Sequence, residues 1–176
     1  MDGDADSLEI LRTKVRGTNI DEQTLLATDY LNHLNEPIML LEMAADAPEL
    51  LEELAAWRPK SYIEHFAESA IADKDLAIRA YAAAPEMFRE PFDRTIESAG
   101  RCIVNTVAAL IELSKQERGD EMRAIASEVT AILGELVDRA SSIVHGKVTT
   151  FDRTQIDRIL DGHSLTQPGS PRSGNL

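Results

Sequence analysis

The chain has 176 residues, 43% of them apolar, enough for one domain with a buried core. Eighteen Lys and Arg stand against 31 Asp and Glu, a net charge of −13, so most of the surface repels a phosphate backbone or an anionic membrane. Aromatics are only 5% of residues and cysteine occurs once, which argues against a β-sandwich and leaves no internal disulfide.

In chain order, Gly and Pro punctuate seven helical segments. The first, Ser7 to Arg16, ends at Gly17 and carries the one local basic cluster, Arg12, Lys14 and Arg16. The second is expected after Asn19 as N-cap, with Asp21 and Glu22 in its first turn, and runs to about Ala45 with a kink at Pro37. The third opens at Pro48 and ends near Trp57, the fourth runs from Pro59 to about Ala72, and the fifth from Asp73 to about Ala84.

A sixth helix opens at Pro85 or Glu86, is kinked or divided at Pro91, and continues to Arg118. Gly119 stops it, Asp120 caps the seventh, and Gly146 ends that one, so the last two long helices should form an antiparallel hairpin. Met122, Ile125, Ala126, Val129, Ile132, Leu133, Leu136, Val137, Ala140, Ile143 and Val144 fall on one stripe of the seventh. Ala99, Ile103, Val104, Val107, Leu110 and Ile111 form its counterpart on the sixth.

Beyond Gly146, Ile156, Ile159 and Leu160 give a weak amphipathic pattern over 152–161 that could dock on the bundle or on a partner. From Ser164 the stretch is rich in Pro, Gly and Ser and is expected to be a disordered tail. The expected fold is therefore all-α: one domain over 1–163, with about three long helices, several short ones across them, and a tail over 164–176.

The stretch TDYLNHLNE places Asn32 and His33 three and four residues after Asp29, and Glu36 three after His33, on one face of the expected second helix. Apolar residues bracket this face, Leu25 and Leu26 before it and Met39, Leu40 and Met43 after it. The group is thus expected to be partly buried and to need partners, as a polar network, an interface or a ligand site. Glu64, His65 and Glu68 repeat the H-x-x-E spacing of His33 and Glu36. Two such helices could offer Asp29, His33, Glu36, His65 and Glu68 to iron, manganese or zinc. Against that, Tyr62, Ile63, Phe66, Ala67, Ala70 and Ile71 form a stripe that leaves Glu64, His65 and Glu68 on the wet side.

Neither His33 nor His65 is followed by the small and basic residues that a phosphoryl-accepting histidine needs. His145 before Gly146 reads as a helix C-terminal cation, and Cys102 as a small core residue. There is no serine elbow, C-x-x-C, phosphate loop or H-E-x-x-H. In AAWRPKSYIEHF, Trp57, Arg58 and Tyr62 are residue types enriched at binding hot spots, in a joint that also carries Lys60. The leading expectation is a cytoplasmic, non-catalytic interaction or regulatory protein, a homodimer or the partner of another protein, using the second helix and the Trp57 joint. The alternative is a metal-binding, redox-active bundle.

Overall fold

The computed structural model describes residues 2–147, which form seven α-helices and a single 3-10 turn. They are α1 (Asp2–Val15), the turn Thr28–Leu31, α2 (Asn32–Ala44), α3 (Leu50–Ala56), α4 (Tyr62–Glu68), α5 (Lys74–Ala83), α6 (Glu86–Lys115) and α7 (Gly119–Val144). No helix among the described residues is long and apolar enough to cross a membrane. The segment 152–161 and the tail 164–176 lie outside the described residues.

The frame is the hairpin of α6, 30 residues, and α7, 26 residues. The stripe read from α7 faces the core, with Leu133 and Ala140 fully buried and Met122, Leu136 and Val144 nearly so. On α6, Ala99, Ile103 and Leu110 are fully buried, but Val104 is 43% exposed and stands off the stripe assigned to it. Thr95, Ser98 and Thr106 also face inward on α6, each donating its hydroxyl to the carbonyl four residues earlier, at 2.7, 2.8 and 2.7 Å. That back-bonding lets a helix bury a hydroxyl without an external partner. Both Pro37 and Pro91 lie inside continuous helices, each lacking the N–H that would bond to the carbonyl four residues earlier.

The expected second helix is the main departure. Asn19 caps nothing: residues 20–27 form a loop closed by an isolated antiparallel bridge between Ile20 and Ala27, and α2 begins at Asn32. Asp21 diverts the backbone, its carboxylate accepting from the N–H groups of Gln23 and Thr24 at 2.8 and 2.9 Å, its carbonyl from Leu25 N–H at 2.8 Å. Such local side-chain bonds compete directly with helix formation. Leu25 then takes φ +60, a left-handed conformation, and is fully buried together with Leu26. Thr24 locks the loop by donating its hydroxyl to Val144 O at 2.6 Å, at the end of α7.

The other bounds shift less. Helix α4 starts at Tyr62, not Pro59, because Ser61 and Glu64 form a reciprocal capping box, Glu64 N–H to Ser61 Oγ at 3.2 Å and Ser61 N–H to Glu64 Oε2 at 2.7 Å. Between the long helices, Glu117 at φ +56 makes the reversal, and Gly119 is the first residue of α7. Around the hairpin, α2 packs against α7 and α6, α3 against α6, and α4 against α5.

Candidate functional site

The first turn of α2, the 3-10 turn before it, the joint between α3 and α4, and α4 itself meet in one aromatic cluster. His33 is 8% exposed and stacks on Trp57, centroids 5.0 Å apart with the planes at 26°. Its Nε2 accepts the backbone N–H of Lys60 at 2.9 Å. From the other side Tyr30 Oη donates to Lys60 O at 2.6 Å, so both polar groups of one joint residue are taken by side chains around residue 30. Tyr62 Oη accepts Ala27 N–H at 2.9 Å, tying α4 back to the loop. Tyr62 is stacked between Tyr30 at 5.6 Å and Tyr81 at 4.5 Å, with Phe66 and Phe92 against it.

The same joint touches α6. A Cβ on buried Gly100 would stand 3.1 Å from Pro59 Cβ, so the glycine allows the joint to lie directly on the helix. Residues 57–60 are therefore fixed by ring stacking at Trp57, the close approach of the Pro59 ring to Gly100 and two hydrogen bonds at Lys60.

These contacts set the electrostatics. Burial, with the charges of His65 and Lys60, pulls the His33 pKa down to about 4, while the Arg58 carbonyl and Glu68 oppose the shift. Burial also lowers His65, against the pull of the Asp29 carbonyl. Burial raises the pKa of both Tyr30 and Tyr62, and raises Tyr81 to about 12. At neutral pH the cluster is uncharged, with His33 as an acceptor at Nε2.

The structure brings some of the residues singled out in the sequence together and separates others. His33 and His65 do face each other, with ring centroids 5.7 Å apart. His65 is half-buried, its ring against Tyr30 at 5.4 Å, and Ile63 takes the exposure instead at 45%. The placing of His65 on the wet side is thus corrected: a short helix rotated to bury Tyr62 and Phe66 carries His65 inward. Asn32 and Glu36 point outward and are exposed, and half-buried Asp29 accepts from Asn19 Nδ2 at 3.2 Å. Glu68 pairs with Lys60 Nζ at 2.5 Å on the surface. The five residues considered as metal ligands therefore do not converge: Glu36 faces outward, Asp29 accepts from Asn19, and His33 and Glu68 are taken by the backbone N–H and the Nζ of Lys60. Among the described residues no three His, Cys, Asp or Glu side chains gather as a metal site.

What sequence reading missed lies on the outer side of Trp57. Leu54, Trp57, Arg58, Val104, Val107 and Ile111 line a cleft of about 190 Å³ between the end of α3 and α6. The Trp57 indole N–H is shielded and has no acceptor among the described residues. Arg58 Nη1 donates to Ala55 O and Trp57 O at 2.7 and 2.8 Å, which anchors the guanidinium at the rim. A larger depression of about 610 Å³ runs beside α1, with Glu9, Arg12, Arg16 and Glu22 giving balanced charge; Arg16 is paired with Glu22 at 3.1 Å.

Comparison of the chain with protein-family models, with curated proteins and with solved structures found no match.

Proposed function

We propose that this is a cytoplasmic, non-catalytic interaction protein that engages another protein, or a second copy of itself, through the Trp57 cleft and the outer flank of α2. The cleft carries the reading. Its volume of about 190 Å³ is below the ~300–1,000 Å³ of sites for small molecules and suits protein side chains. Its lining contains no carboxylate, thiol or imidazole for acid-base or nucleophilic chemistry. It combines a Trp whose N–H has no acceptor among the described residues, an anchored Arg and the exposed Val104, the composition of a binding hot spot. Met39 and Met43, one turn apart on α2, add a second apolar strip, 56% and 46% exposed. His33, chemically the most conspicuous side chain, supports the reading by holding the joint that presents Trp57 and Arg58.

Native mass spectrometry of the full chain, with elemental analysis, tests the proposal. A metal-free dimer that Val104→Asp or Met39→Asp dissociates supports it, as does a stoichiometric protein partner lost in the same variants. A stoichiometric transition metal lost in His33→Ala would overturn it. So would a monomer that takes no partner from a cell extract at any concentration.

A further inference from the structure

From two exposed surfaces whose residues complement one another, we infer that the Trp57 cleft of one copy receives the outer flank of α2 from a second copy of this chain. This rests on reading both surfaces as protein contacts, and it adds the identity of the partner: each surface is the other's.

Spacing is the first support. On α6, Arg101, Val104 and Ala108 follow one another at intervals of three and four, which puts them on one outward stripe, and all three are exposed. On α2, Glu36, Met39 and Met43 repeat those intervals and are likewise exposed. Laid parallel, the two helices set Glu36 beside Arg101, Met39 beside Val104 and Met43 beside Ala108. That is the seam along which helices with three-four spacing pack.

The apolar chemistry is the second. Among the exposed large hydrophobic side chains of the described residues, Met39 and Met43 are the pair that share a helix face one turn apart. The cleft holds about 190 Å³, room for side chains, and Ala108 in its lining is small enough to let another chain approach α6 closely. Unbranched methionine adapts to irregular gaps, and its sulfur makes favourable contacts with an aromatic ring, here Trp57.

Charge is the third. Among the described residues Arg58 is the one charged side chain in the cleft lining. Its Nη1 is committed to the Ala55 and Trp57 carbonyls, which leaves the Nε and Nη2 edge without a partner among the described residues. That edge offers the two-point geometry in which Arg binds a carboxylate, already held in place. Arg58 precedes Pro59 and Arg101 follows Gly100, and Pro59 and Gly100 lie against each other, so the two arginines stand at the same end of the cleft. Arg101 makes no ion pair among the described residues. On α2 the two methionines lie between Glu36 on one side and Glu42 on the other, both exposed and outside any ion pair among the described residues. The chain carries no Lys or Arg between Arg16 and Arg58. The register that matches the apolar residues therefore also delivers Glu36 to the two arginines. The net charge of −13 opposes approach of a second copy, but at physiological salt that repulsion is screened beyond about 8 Å, while a pair in contact is screened far less.

Because the contact joins unlike surfaces, a variant of one complements a variant of the other. The experiment is sedimentation velocity of the full chain over a concentration series, with acrylamide quenching of Trp57, the sole tryptophan, recording whether the cleft is covered. Val104→Asp and Met39→Asp change exposed positions, and circular dichroism checks that the helices are kept. The full chain is expected to associate and each variant alone to be monomeric. Their equimolar mixture regains a dimer, because one supplies an intact cleft and the other an intact α2 flank. Glu36→Arg weakens association about tenfold, and adding Arg58→Glu and Arg101→Glu to the same chain restores it. A full chain that stays monomeric at every concentration overturns the inference, as does association that survives either Asp variant. Variants that lose association and do not regain it on mixing overturn it too, since like surfaces would then be meeting. The proposed function fails separately: a monomer that binds a different protein through the same surfaces keeps that reading and sinks this one.

Discussion

His33 accepts a hydrogen bond from the backbone N–H of Lys60, 27 residues away, through Nε2 at 2.9 Å. Removing the imidazole leaves a half-buried N–H without a partner and a void beside Trp57. His33→Ala is expected to cost about 2–4 kcal/mol, from the orphaned donor and the lost stacking. His33→Gln, which can present an oxygen near the same place, should lose roughly half as much. Urea unfolding followed by Trp57 fluorescence measures both; equal losses would show that the hydrogen bond contributes nothing.

The burial of His33 also makes stability depend on pH. Native His33 titrates near 4 against an ordinary 6.5, so between these values the unfolded chain holds more protons than the folded one. Stability is full above about pH 6.5, falls as the pH drops through the window, and levels off below about 4, with up to about 3 kcal/mol at stake from this residue. His65 shifts in the same direction and adds to the slope. Imidazole NMR titration should find His33 uncharged at pH 5.5, and a folded-state value near 6.5 would refute this account.

Tyr30 and Tyr62 use their hydroxyls in opposite senses, and their phenylalanine variants separate the two. In Tyr62→Phe the buried Ala27 N–H loses its acceptor, a loss of about 1–3 kcal/mol. In Tyr30→Phe the Lys60 carbonyl loses a donor but sits in a half-buried joint open to water, and about 1 kcal/mol is expected. Thermal unfolding of the pair gives the order, Tyr62→Phe the less stable.

Gly100→Ala should fail to deliver the roughly 0.5–1 kcal/mol that replacing a mid-helix glycine normally contributes. The added methyl meets Pro59 at 3.1 Å, and Pro59 is held in place through Lys60. In a His33→Gln background the joint can yield, and the alanine should regain most of that gain. A double-mutant cycle with no coupling would show that the joint is not held as a unit.

Sequence periodicity revealed the hairpin because α6 and α7 each bury one continuous stripe, and a pattern repeated over 26 to 30 residues outweighs local exceptions such as Val104. The loop at 20–27 was illegible for the opposite reason. Asp21, Glu22 and the following leucines form a good helix start taken alone; the turn closed on Asp21 competes with it, and the bond from Thr24 to Val144 holds the loop in place. For the site, the sequence drew attention to His33, Trp57, Arg58 and Tyr62, yet the partners of His33 and Tyr30 are backbone atoms of Lys60, which leave no signature in residue type. The cleft beyond Trp57 depends on where α3 crosses α6, a tertiary fact with no local code.

The contact between Thr24 and Val144 also orders events in time. A ribosome releases residues from the N-terminus onward, so the loop emerges long before the carbonyl that receives its hydroxyl. Thr24 must wait for 120 more residues. Until then Leu25 and Leu26 have no finished core to enter, and the nascent chain carries them uncovered. That one hydrogen bond ties the loop before α2 to the C-terminal end of α7, across almost the whole described length of the chain.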